Sequence, residues 1–159
     1  MVASSRACGV FLVGICGGNR AAWRGGNGKM THLPTIDVAV VEDDRSLRES
    51  TSRLLRLLGY ATASFASAED FLSSGRVRDT SCLITDVHLP GMSGVDLQSR
   101  LTSDGHRIPV IFITGFPDEA VRARVLSRGA LCYLCKPLEQ QSLIAWLDRA
   151  LKDAGPDPS

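Results

Sequence analysis

Five short apolar runs, each followed by an amphipathic stretch, decide what this chain can fold into. The runs are Ile36–Val41, Tyr60–Phe65, Cys82–Thr85, Val110–Ile113 and Leu131–Cys135. They are rich in β-branched side chains and are strand-length, too short for helices. Between the first two, Leu47, Thr51, Leu54, Leu55 and Leu58 recur at helical spacing, and Gly59 stands where a C′ glycine ends a helix. Ser67 can cap a short second helix carrying Ala68, Phe71 and Leu72. Val95, Leu97 and Leu101 mark a third helix closed by Gly105, Pro117 to Arg128 a fourth, and Glu139 to Lys152 a fifth. Strands alternating with helices imply a parallel sheet covered on both faces, and right-handed crossovers bring every strand C-terminus to one edge. Val110–Ile113 reads as a central strand buried on both faces, and the less apolar Tyr60–Phe65 as one nearer the rim.

The residues that follow those strands are polar. Glu42 and Asp43 follow the first, Asp86 the third, Thr114 the fourth and Lys136 the fifth. Two carboxylates about 4 Å apart repel by about 4 kcal/mol at an effective dielectric near 20. Such a cluster needs raised pKa values or a cation. Oxygen ligands with room for water suit Mg2+. Lys136 adds a compact positive charge and Thr114 a hydroxyl able to donate to an incoming oxygen. These are the parts a phosphoryl acceptor needs, since aspartate can act as the nucleophile and the rest of catalysis is positioning and charge neutralisation. His88, two residues past Asp86, is expected to point to solvent or pack locally.

The order of motifs, from the acidic pair through Asp86-x-x-x-Pro90-Gly91-x-x-Gly94 and Thr114-Gly115 to Lys136-Pro137, resembles the receiver domain of two-component response regulators. The likeness runs from about 36 to 154. Gly59-Tyr60, Phe65-Ala66-Ser67-Ala68-Glu69-Asp70-Phe71-Leu72 and Gly91-Met92-Ser93-Gly94-Val95-Asp96-Leu97-Gln98 are similar to the nitrogen-fixation and nodulation-type subgroup. The resemblance implies a flavodoxin-like (βα)5 doubly wound α/β fold with strand order 2-1-3-4-5. It implies Asp86 as phosphoacceptor and Mg2+ held by Glu42, Asp43, Asp86 and the backbone carbonyl of His88. It implies Lys136 as the lysine contacting the phosphoryl group, Thr114 as the switch hydroxyl and Tyr133 as the switch aromatic. A sensor histidine kinase would supply the phosphoryl group. The face made by helix 4, strand 5 and helix 5, with Arg122, Arg124, Arg128 and Trp146, would meet a second copy or a downstream protein. Glu42 stands where Asp is usual, Leu89 where Met is usual, Leu138 where Phe is common, and Phe116-Pro117 replaces a small flexible pair. None of these removes a functional atom, although the loop after the fourth strand should move less.

Of the 159 residues, 44% are apolar and 22% charged, and a net charge of +1 gives no electrostatic case for nucleic acid or an anionic membrane. No apolar stretch approaches the roughly 18 to 20 residues of a membrane helix. The five cysteines, an odd number without framework spacing, are expected to be reduced and the protein cytoplasmic. Cys132 and Cys135 have redox-motif spacing but lie along a strand with opposed faces, so core packing is expected. Gly14 to Gly28 lacks the strand and the Lys-Ser/Thr of a phosphate loop. Residues 1–34 are expected to be a disordered or spurious extension, 35–154 the receiver and 155–159 a tail. The expected protein is a signalling module rather than an enzyme, without a DNA-binding output. An aspartate-nucleophile phosphatase would need a second aspartate at position 88, where histidine stands. A truncated helix-turn-helix regulator and a phosphorylation-independent adaptor are the alternatives.

Overall fold

The computed structural model describes residues 36–153; the expectations for 1–34 and 155–159 lie outside the described residues. Strands and helices alternate as β1 (Ile36–Val41), α1 (Arg45–Leu57), β2 (Thr62–Phe65), α2 (Ala68–Ser73), β3 (Thr80–Asp86), α3 (Gly94–Ser103), β4 (Val110–Thr114), α4 (Glu119–Ser127), β5 (Cys132–Cys135) and α5 (Gln140–Asp153). A 3-10 turn at Val77–Asp79, for which the sequence carried no periodic signal, precedes β3. The five strands form one parallel sheet in the order β2-β1-β3-β4-β5, as the sequence implied.

Local chemistry sets the boundaries. Asp44, Ser67, Ser93 and Asp118 each accept hydrogen bonds from amides in the first turns of α1, α2, α3 and α4. Asp118 is therefore why α4 starts at Glu119 and not at Pro117. Alternation along the strands then sorts the core into two layers. Ala39, Val41, Leu83 and Phe112 face Phe71, Leu97 and Val125 on one side. Val38, Val40, Ile84 and Ile111 face Leu55, Leu143 and Leu147 on the other. β4 is buried throughout, whereas β2 at the rim is half-exposed.

Three expectations need correction. Leu58, assigned to the inner face of α1, is 39% exposed because the helix ends at Leu57 and Leu58 is only its cap. Cys132 is buried but Cys135 is exposed, so the two do point apart, while only the first packs in the core. Arg128, assigned to the α4–β5–α5 face, instead reaches α3, where its Nη1 donates to Ser99 Oγ at 2.9 Å. Among the described residues no helix is long and apolar enough to cross a membrane.

Register levels the strand ends. Val41 is paired with Phe65 and Thr85, Asp86 with Ile113, and Thr114 with Cys135. The polar residues at and just beyond these positions therefore share one edge.

Candidate functional site

Glu42 and Asp86 are buried at that edge, at 4% and 6% exposure, and Asp43 beside them is open to solvent. One carboxylate oxygen from each of the three lies within 4.8 Å of the others. Lys136 leaves β5 with its amide donating to Thr114 O at 2.8 Å. Its Nζ reaches Asp86 Oδ2 at 2.7 Å and Glu42 Oε2 at 3.0 Å. The other Asp86 oxygen, Oδ1, accepts from the His88 amide at 2.8 Å. Asp86 is thus pinned from two sides by donors.

The charges are not balanced by this lysine alone. Burial raises the pKa of Glu42, and the hydrogen bonds from Lys136 and the Asp44 amide offset it only in part, with Asp86 pushing the same way as burial. Burial acts to lower the pKa of Lys136, but its bonds to Asp86 and Glu42 outweigh that and raise it. The ammonium is therefore firmly held, while one positive charge faces three acidic groups. Two buried carboxylates and one exposed one, all oxygen donors opening on water, fit a hard divalent cation that keeps part of its hydration shell.

Thr114 is fully buried, and its hydroxyl is turned to the following loop. The Oγ1 accepts from the Phe116 amide at 3.0 Å and stands 3.5 Å from His88 Nδ1. The exposed His88 ring packs edge-on to Phe116, centroids 6.0 Å apart, so local packing is what it does. Phe116 itself is 77% exposed, so the ring pair stands at the surface. Tyr133 is half-buried against the layer under α2, α3 and α4, and its hydroxyl oxygen accepts from the Asp118 amide at 3.1 Å. The fold thus assembles Glu42, Asp43, Asp86 and Lys136, and sets Thr114 beside them with its hydroxyl engaged elsewhere.

Two supports were not read from the sequence. Arg48 in α1 donates from Nη1 to Glu42 O at 2.7 Å and to Asp43 O at 3.3 Å, bracing the loop that carries both acids. Glu69 at the start of α2 accepts from the Met92 amide at 2.8 Å, tying down the loop after Asp86. Glu69 lies inside a quoted motif, but nothing in its neighbours said which amide it would meet.

Comparison with known proteins decides the family. The model of the response regulator receiver domain matches residues 38–148, most of the chain. The chain belongs to this receiver-domain family. Nodulation protein W of Bradyrhizobium diazoefficiens is 42% identical over 125 residues, covering 79% of this chain and 55% of that protein. The crystal structure of FixJ-N superimposes with a TM-score of 0.67 at 33% identity, covering 76% of this chain and 96% of that one. The structure of the response regulator StyR gives a TM-score of 0.70 at 38% identity, covering 74% and 60%. Nodulation and nitrogen-fixation regulators are therefore among its relatives, as the motifs implied. The receiver domain spans about half the length of the curated relatives it matches.

Proposed function

We propose that this receiver accepts a phosphoryl group on Asp86 from a sensor histidine kinase in the cytoplasm, with Mg2+ held by Glu42, Asp43, Asp86 and the His88 carbonyl. One observation carries the reading: Lys136 Nζ bridges Asp86 Oδ2 and Glu42 Oε2 in a pocket that also holds Asp43. A carboxylate oxygen of Asp86 attacks phosphorus; the P–N bond to the kinase histidine breaks, and its electron pair leaves with the imidazole. Bound Mg2+ would neutralise charge on the phosphoryl oxygens. Lys136 supplies a second positive charge at the same atoms, and the His88 amide holds the carboxylate in line.

The acyl phosphate carries about −1.5 to −2 charges where the carboxylate carried one, and spreads them over three further oxygens. The Thr114 hydroxyl gains from closing on it only by giving up the Phe116 amide and the His88 ring. Phe116 and Asp118 belong to one loop, and Asp118 is bonded to Tyr133. Movement of Thr114 is thereby passed to the face of α4, β5 and α5, where a second copy or a downstream protein would read it. Such a shift is no larger than the difference in phosphoryl binding between the two arrangements.

The test uses the full chain, a small phosphodonor and Mg2+, followed by borohydride reduction of any acyl phosphate. The expected result is one modified site, at residue 86, that disappears when the divalent ion is chelated. No modification, or one elsewhere, sinks the proposal; no modification together with constitutive partner binding favours an adaptor. The brace at Arg48 makes its own prediction. Arg48→Ala should weaken Mg2+ binding about tenfold in a calorimetric titration, in the range found for residues that orient metal ligands. Arg48→Lys, which keeps one donor, should recover part of it.

A further inference from the structure

At the opposite pole of the sheet from Asp86, a cavity of about 290 Å3 opens between α3 and α4. It is walled by Leu101, Ile108 and Val110, and Arg107, Arg128 and His106 also line it. None of its lining residues is acidic. A more open cavity of about 430 Å3 adjoins it through His106, Arg107 and Ile108 and adds Arg78. The acid there, Asp104, is engaged by Arg100 at 3.0 Å. Positive charge over an apolar wall, without a balancing carboxylate, selects an anion with an apolar body.

Gln98 lines the same cavity and is 3% exposed. Its Nε2 donates across to Val125 O of α4 at 3.3 Å, and its Oε1 is buried without a partner. A buried acceptor left unmatched is costly and uncommon in a settled core. The terminal torsion of glutamine is broad, so a modest rotation offers Oε1 to a donor in the cavity. Arg128 is already held in place by Ser99 Oγ at 2.9 Å.

We propose that this cavity binds a small organic anion, a carboxylate or phosphate monoester with an apolar body and one hydrogen-bond donor, and that binding biases the position of α4. The coupling follows from how α4 is held. Val125 is the one fully buried residue of the helix, and the Gln98 bond to its carbonyl is a direct tie to α3. The Asp118 amide at the other end of α4 holds the Tyr133 hydroxyl. A ligand seated under the C-terminal end of α4 therefore acts on the element that follows Thr114.

Amide shifts of the labelled full chain are followed on titration with 4-hydroxybenzoate, benzoate, phenyl phosphate and 4-hydroxybenzyl alcohol. Shifts clustered at Gln98, Ile108 and Gly129 are expected with the anions, and whichever of the carboxylate and phosphate probes binds tighter identifies the ligand group. The uncharged alcohol and the Arg107→Ala/Arg128→Ala variant should each lose about tenfold in affinity, the worth of one charge-assisted bond. Gln98→Met should erase any advantage of 4-hydroxybenzoate over benzoate. Asp86→Asn should bind as the wild type does, so binding stands or falls apart from phosphorylation at Asp86, while the bias on α4 rests on that reading and is read through it. The labelling rate of Asp86 by a phosphodonor should change when the bound probe is present. No shift with any probe, scattered shifts that ignore the arginine substitutions, or an unaltered labelling rate at saturation would overturn the proposal. So would a Gln98→Met variant that is stabilised while no probe binds, since the crevice would then be only hydrated.

Discussion

Lys136→Met is expected to slow phosphodonor labelling of Asp86 about a hundredfold, the usual loss when one preorganised charge at the reacting oxygens is removed. It is also expected to lower stability at neutral pH by about 2 kcal/mol, at or below the range for breaking a buried ion pair because the lysine side chain is 23% exposed. Methionine keeps the unbranched stem of the side chain and lacks only its terminal atom, so packing is largely spared. What is lost is the one ammonium that bridges Glu42 Oε2 and Asp86 Oδ2. In the wild type, Lys136 has a raised pKa, so its contribution holds through neutral pH and fades only above the ordinary lysine range. In the variant the two carboxylates face each other in a buried site. Glu42, already raised by burial with the lysine present, should rise further. A carboxylate whose folded pKa is above its unfolded one makes the native state bind more protons, so stability falls as pH rises through that window. Urea unfolding of Lys136→Met should thus show the gap to wild type narrowing as pH is lowered from 7 toward 5, and narrowing again on adding Mg2+ at pH 7. A gap that is flat in both would mean the carboxylates do not sense one another.

That result would test the part of the molecule most open to reading from sequence. Strand period and crossover handedness are local and chiral rules, so the ends of β1, β3, β4 and β5 had to share an edge wherever the helices packed. Glu42, Asp43, Asp86, Thr114 and Lys136 were legible for that reason. Supports that act through backbone atoms were not. The bond from Arg48 to Glu42 O and the bond from Met92 N to Glu69 leave no periodicity and no complementary residue type to notice. Helix ends were blurred for a related reason. Leucines at 57 and 58 extend the apolar pattern of α1, but the chain turns at Gly59, with φ of +96°, and leaves Leu57 78% exposed. Cys135 was misread because it ends β5, an edge strand paired with β4 alone, which leaves its side chain uncovered. The direction of the Thr114 hydroxyl, toward Phe116 and His88, depended on loop geometry that composition does not encode.

Gly94→Ala is expected to be the most damaging single methyl in the domain, at about 3 kcal/mol of lost stability, toward the upper end for overpacking. A Cβ at this position would lie 2.1 Å from Asp86 O, 3.1 Å from Asp86 C and 3.2 Å from Thr85 Oγ1. Gly94 is brought that close because its amide donates to Val87 O at 3.0 Å as α3 begins. The atom in the way is backbone at the end of a central strand, paired with β4 through Asp86 and Ile113, so it cannot step aside as a side chain would. Gly91→Ala makes the useful contrast. There the Cβ would meet Glu69 Oε1 at 2.6 Å, a flexible carboxylate, and the strain comes from a φ of +76°. That left-handed conformation costs about 1–2 kcal/mol for a residue with a Cβ. Relief at Gly94 must therefore move either α3 or Asp86 itself, and a displaced Asp86 loses alignment with the His88 amide and Lys136 Nζ. Gly94→Ala should lose phosphodonor labelling even at temperatures where circular dichroism reports a folded chain, whereas Gly91→Ala should keep most of it. Chemical denaturation and labelling of both variants check the pair. If Gly94→Ala unfolds within about 0.5 kcal/mol of wild type, as a harmless surface change would, the close approach of α3 to the phosphoacceptor strand is wrong.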